Sequence, residues 1–376
     1  MKKISLAEAM EGIEDNRRER SVMYPLIEIL MIVLLGVMCG ATSYAKIEMF
    51  GVSREKWLKK FMKLEYGIPD ACTLRNVIKE IDTKKLHEIF VEWMKAAAQN
   101  IFGIIAVDGK EARRTRDKNK KPLHVVSAFS HEFGLVLGQL SCEEKSNEIT
   151  AIPRLLEILE IKGCIVTIDA MGTQTEIAGK IIEKGADYCL SLKENQGNLY
   201  NDVKLYMETE IFTDDRRFLS GNGQYYRKIE KGHGRIEKRE YFVCNDIAWI
   251  KYAAKWKNLS GFGVCVSTVE QDGKTTISHN YSIYSVQNMT AREFAKCKRG
   301  HWSGESFHWI LDMVFREDEN RARTDNSAEN LNVFRQMAFN ILKCETSFKG
   351  GLSHKQFNCL LDERYLEKVV TSWISS

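Results

Sequence analysis

Two short runs constrain this chain more than anything else in it: IIAVD, residues 104–108, and IVTID, residues 165–169. Each is a β-branched apolar stretch that closes on an aspartate and meets a glycine within three residues. Runs of this length and composition read as buried strands. Two buried strands that each deliver a carboxylate predict a sheet carrying an acidic site, with the glycines letting the backbone turn past the acids. A single acid at a strand end is often only a turn former or helix cap. Such positions accept serine or asparagine equally well, so the repeated aspartate argues for a shared task.

The neighbouring pattern fits that sheet. Leu123–Phe129 and Leu135–Leu140 read as strands joined by the turn His131-Glu132-Phe133-Gly134, and with the first run they predict an antiparallel meander. A helix over Glu148–Leu159, the strand Ile165–Asp169, a helix over Thr173–Lys184 and the strand Tyr188–Leu192 then alternate as in a parallel sheet. The order β-β-β-α-β-α-β predicts a ribonuclease H-like α/β domain over 101–376, with Asp108 and Asp169 on adjacent parts of one mixed sheet. From about 212 to 285, Tyr241–Val243, Gly263–Val269 and Ile277–Tyr284 predict a β-rich insertion. Helices then return. Glu305 falls in the first of them, and a second, beginning near Asn326 or Ser327, carries Leu331, Phe334, Ala338, Ile341 and Leu342 on one face.

Residues 1–100 read as an all-helical N-terminal domain. Asp82 or Thr83 caps a helix whose Leu86, Ile89, Phe90, Trp93, Met94 and Ala97 share a face. Short helices around Ser53–Met62 and Thr73–Ile81 flank the turn Tyr66-Gly67-Ile68-Pro69. Ile29–Ala41 is almost wholly apolar, yet it is shorter than the roughly 20 residues a bilayer core requires. It also lies behind the charged run Glu14–Arg20, so it reads as a buried helix and not as a membrane span or secretory signal.

Hydrophobic residues make up 44% and charged residues 28%, the balance of a soluble globular protein. The ten cysteines stand singly without zinc spacing, which points to a reduced cytoplasm. A formal charge of +4 is slight for a nucleic-acid binder, so DNA contact must come from local stretches. Lys110–Lys121 (KEARRTRDKNKK), starting two residues after Asp108, holds seven basic residues against two acids. Lys228–Arg239 (KIEKGHGRIEKR) adds His233 and Arg235. A solvated hairpin tip or an ordinary turn is the plain alternative for each. The expected DNA contacts are Lys110, Arg113, Arg114, Lys193, His233, Arg235 and His301. Nucleotide binding is excluded, because no Walker lysine and no G-x-G-x-x-G follows a strand.

Paired carboxylates suit divalent cations, and phosphodiester cleavage and transfer use two of them about 4 Å apart. Glu305, in HWSGESFHW, is the candidate third ligand; Trp302 and Trp309 flank it at helical spacing and are expected to bury that face. Asp312, Glu317, Asp318 and Glu319 lie nearby, and a solvated helix face accounts for any one of these acids.

These residues resemble the DDE transposases of bacterial insertion sequences, in the family that includes the H-repeat-associated proteins. The likeness runs through YPLIEILMIVLLGVMCGATSY, AVDGKEARRT, LHVVSAFSHEFGLVLGQLSCEEKSNEITAIPRLLEIL, VTIDAMGTQTEIA, YCLSLKENQGNL, KGHGRIEKR, RGHWSGESFHWILDMVFREDENRAR and NSAENLNVFRQMAFNILK. It implies a transposase-associated helical domain, a catalytic domain interrupted by an insertion, and Asp108, Asp169 and Glu305 as the catalytic, metal-binding triad. It further implies Mg²⁺, with Mn²⁺ able to substitute, and double-stranded DNA with inverted repeats bound by a homo-oligomer. No membrane is involved. Related families carry Tyr-x2-Arg-x3-Glu-x6-Lys around the last acid; here Lys298, His301 and Asp312 occupy the other positions. His301 replaces the arginine as a phosphate contact only if protonated or donating one hydrogen bond. Two alternatives stay open: a metal-dependent DNA nuclease without transfer activity, and an inactive remnant that only binds DNA.

Overall fold

The computed structural model describes residues 6–18, 22–97, 101–115, 121–142, 148–212, 223–232 and 234–374. Ahead of the sheet the chain forms α1 (Leu6–Met10), α2 (Leu26–Met38), α3 (Tyr44–Ser53), α4 (Glu55–Leu58), α5 (Ala71–Glu80) and α6 (Thr83–Ala97). Local chemistry starts these helices. Ser43 accepts the amide of Lys46, Asp70 that of Thr73, and Asp82 that of Lys84, so Asp82 is the cap of α6. Along α2 every residue from Glu28 to Met38 is buried, and the Glu28 carboxylate accepts the Leu64 amide at 3.0 Å. No described helix is long and apolar enough to cross a membrane.

The sheet follows. β1 (Gly103–Ala112), β2 (Leu123–Ser130) and β3 (Leu135–Ser141) form an antiparallel meander. After α7 (Glu148–Ile158), β4 (Cys164–Ile168) adds parallel to β1; after α8 (Thr175–Glu183), β5 (Asp187–Leu192) adds parallel to β4. Next come α9 (Gly197–Phe212), β6 (Gly223–Gly232), β7 (Arg235–Cys244), β8 (Gly261–Gln271) and β9 (Lys274–Tyr284). Among the described residues the strand order is β3-β2-β1-β4-β5-β9-β8-β7-β6 in one mixed sheet. The strands read as an insertion therefore extend the same sheet, with β9 antiparallel to β5. α10 (Ala291–Met313), α11 (Ser327–Cys344), α12 (Leu352–Leu361) and α13 (Glu363–Ile374) complete the chain.

Two details differ from the sequence reading. β1 does not stop at Asp108 but pairs with β2 as far as Ala112, so Gly109 is a strand residue and not a turn. Trp309 is 62% exposed and buries no face of its helix.

α11 joins the helices to the sheet. Its apolar side shares one core with α2, α5 and α6 and with Phe307 and Leu311 of α10. Its buried polar side closes the edge strand β3: Asn340 accepts the Val136 amide at 2.9 Å and donates to the Val136 carbonyl at 2.8 Å. Gln336 reaches Gln139 on the same strand. An uncovered edge would invite pairing with other chains. Replacing Asn340 with alanine leaves two buried backbone groups unpaired and is expected to destabilise the protein by about 2–5 kcal/mol, read from the urea midpoint at unchanged slope.

Candidate active site

Parallel pairing of β1 with β4 sets Val107 beside Ile168, so the residues that follow, Asp108 and Asp169, are neighbours across the two strands. Asp108 accepts the amide of Gly109 at 2.9 Å. Asp169 leaves the strand and accepts the amides of Met171 (3.1 Å) and Gly172 (3.2 Å), which closes a tight turn. Thr173 pins that turn to β5 by donating to the carbonyls of Asp169 and Ser191.

Glu305 arrives by a close helix-to-strand approach. α10 crosses β1 through two glycines. A Cβ at Gly300 would stand 2.7 Å from Ile104 Cγ2, and one at Gly304 would stand 3.4 Å from the Ala106 Cβ and 3.8 Å from the Asp108 Cβ. Glu305 is the next residue. Asp108, Asp169 and Glu305 consequently line one open cleft of about 280 Å³, together with Lys193, Lys298 and His301.

The charges in this cleft strain one another. Burial, joined by the charges of Glu148 and Asp108, holds Asp169 above its ordinary value despite the two turn amides. Burial and then the Asp108 charge raise Glu305 in the same way. Burial also acts to raise Asp108, but its contact with His308, whose Nδ1 lies 3.4 Å from Oδ2, overcomes this and leaves it below the ordinary carboxylate range. Burial, reinforced by the Lys298 charge, pushes His301 down to about 4. It is therefore neutral at neutral pH, with Nδ1 3.3 Å from Thr167 Oγ1.

Three hard carboxylate oxygen donors that repel one another are the chemistry a divalent cation relieves. As the side chains stand, no three His, Cys, Asp or Glu residues among those described converge on one ion position. The donor set fits such an ion; the rotamers would have to close on it.

The other expected contacts divide. Lys193 and His301 are in the cleft. Lys110 is not among its lining residues: its ammonium lies 2.7 Å from Asp312 and 3.4 Å from Asp318, and also bonds Glu317. Arg113 and Arg114 are exposed beside it, Arg113 lying 3.6 Å from Asp318, while 116–120 fall outside the described residues. Arg235 is exposed at the β6–β7 tip, paired across from Gly232, and His233 falls outside the described residues.

Sequence reasoning missed three neighbours. Glu148, at the start of α7, bonds His124 at 2.7 Å and lies where a Cβ on Gly109 would be, 2.1 Å from its Oε1. Gly109 thus admits a fourth carboxylate against β1, whose charge bears on Asp169. His308 was a second neighbour, and its i+3 spacing from Glu305 was the available signal. Trp302, expected to flank Glu305 and bury that face, has its ring 4.8 Å from the Arg239 and 5.4 Å from the Arg299 guanidinium, a stacking that the sequence does not announce.

Comparison with known proteins gives the family. The "Transposase DDE domain" model matches residues 101–341, and the "DDE_Tnp_1-associated" model matches 7–94. "Putative transposase YncI" of Escherichia coli O157:H7 is 39% identical over 98% of this chain and 95% of its own length. "H repeat-associated putative transposase YhhI" of Escherichia coli strain K12 is 37% identical over 97% of both. A solved piggyBac transposase synaptic complex with hairpin DNA covers all of this chain and 78% of that one at 11% identity and a TM-score of 0.42, too loose a likeness to decide the fold. With two family models in tandem and full-length relatives at this identity, the chain belongs to the DDE transposases and is an enzyme of that type.

Proposed function

We propose that this transposase cleaves DNA at the inverted-repeat ends of an insertion sequence and joins the freed 3′ ends to target DNA. The carrying observation is the cleft in which Asp108, Asp169 and Glu305 face one another with mutually unfavourable charge. The strand order β3-β2-β1-β4-β5 supports a ribonuclease H-like core within 101–376, with 212–285 as an elaboration of its sheet and 1–100 as the associated helical domain. Membership of the DDE transposases implies a divalent metal, generally Mg²⁺. Asp108, Asp169 and Glu305 would hold two such ions, whose chemistry would be to activate the attacking oxygen and neutralise charge on the leaving oxygen.

The chain's own groups do the rest. Lys193 in the cleft, and Arg113, Arg114 and Arg235 farther out, neutralise backbone phosphates and make binding salt-sensitive. His301, neutral, contributes hydrogen bonding and no charge. Lys110, tied to its three carboxylates, anchors the start of the basic loop to the segment after α10. A homo-oligomer in the cytoplasm brings two element ends together.

The test is strand transfer with pre-cleaved repeat ends and a second duplex in Mg²⁺ or Mn²⁺. Joined product is expected. Cleavage of uncut ends without any joining would reduce the protein to a nuclease, and metal-independent binding by 1–100 with neither reaction would leave a DNA-binding remnant.

A further inference from the structure

Lys298 occupies a position that no role above accounts for. It lies seven residues before Glu305 on α10, two helical turns away, so both side chains leave the same side of the helix. Its ammonium lies 3.1 Å from Ser191 Oγ and 3.0 Å from Ser282 Oγ. These serines are cross-strand partners where β9 returns to β5, and Ser282 is fully buried. Both acceptors are neutral. Among the described residues no carboxylate forms an ion pair with Lys298, in contrast to Lys110 with its three.

An ammonium has three donors and no acceptor. Two are directed at the serines, and Lys298 lines the same cleft as Asp108 and Glu305 with a third donor to spare. A half-buried cation without a counter-ion is costly unless an anion completes it. Its charge already acts on His301, one helical turn further along, pushing it down. The ligand that meets an uncompensated cation and a divalent-metal carboxylate set in one cleft is a phosphodiester, which offers one oxygen to each.

Resting on the DNA-cleaving reading above, we propose that Lys298, aimed by Ser191 and Ser282, binds a non-bridging oxygen of the DNA phosphate held at the acids. It sets the position of that phosphate relative to Asp108 and Glu305. In this chain the lysine supplies the fixed charge that neutral His301 does not.

The variant that removes the charge and keeps two N–H donors is Lys298→Gln; Lys298→Arg restores the charge. Binding of the full-length protein to a 30-base-pair duplex of the DNA flanking the gene is measured with Ca²⁺ in place of Mg²⁺, a hard cation for the same carboxylates, across a salt series. K298Q is expected to lose about tenfold in affinity and to lower the slope of log K against log salt by about 1, with K298R close to wild type. A methylphosphonate at the nicked position, mapped with the wild-type protein, should remove the difference between wild type and K298Q. An unchanged slope in K298Q, or a K298Q defect that persists on the methylphosphonate duplex, overturns the assignment while leaving the cleaving reading intact. A wild type that neither binds nor nicks the duplex overturns both.

Discussion

Alanine at Asp108 or at Asp169 is expected to abolish Mn²⁺-supported nicking of a repeat-end duplex, a loss of at least about a thousandfold. The magnitude follows from removing a ligand of ions that contribute several kcal/mol to the transition state, at about 1.4 kcal/mol per tenfold. The stability of Asp169→Ala should move the other way. Burial and the charges of Glu148 and Asp108 disfavour ionised Asp169, so its removal relieves a cost in the metal-free protein, whereas Asp108 is held in its ionised form by His308 and its removal gives no such relief. The melting temperature of Asp169→Ala is therefore expected to match or exceed that of wild type, the trade expected where a site is held against its own charge. A thermal melt without metal, paired with the nicking assay, checks both halves. Nicking at the wild-type rate in both variants would remove these aspartates from the mechanism.

How much of this was readable beforehand depended on whether a feature is local. β4 and Asp169 were legible because a short apolar run meets a turn whose amides come from the next three residues. The continuation of β1 was not, because Gly109-Lys110-Glu111 is polar and its partners lie on β2. β6 escaped for a related reason: it is an exposed, charged edge strand, and its sequence resembles a solvated loop. Alternation identified β8 and β9 as strands, but periodicity cannot say which sheet a strand joins. The fate of Lys110 was still less visible, because the acids that hold it are more than 200 residues away. Glu148 illustrates the same limit. Nothing in its helix marks it, and only the missing Cβ of Gly109 lets it approach that strand.

The same dependence on a missing side chain makes Gly300 the sharpest lever on the site outside the acids. Glu305 reaches the cleft because α10 lies directly on β1, and a methyl at Gly300 would stand 2.7 Å from Ile104 Cγ2 and 3.0 Å from its Cδ1. Ile104 is itself 4% exposed and packed below the helix, so it has little room to withdraw. Gly300→Ala therefore lifts α10 while improving its helix propensity, two effects that partly cancel in stability. They do not cancel in catalysis. A displacement near 1 Å between reacting groups costs about a hundredfold, so G300A is expected to nick at about one hundredth of the wild-type rate with a nearly unchanged melting temperature. If the loss arises from the lifted helix, then Ile104→Ala, which removes the two nearest atoms and leaves only Cβ at 3.1 Å, should restore most of the rate in the double variant even as it lowers stability. A double variant as slow as G300A alone would mean that the glycine serves something other than the approach of Glu305 to Asp108.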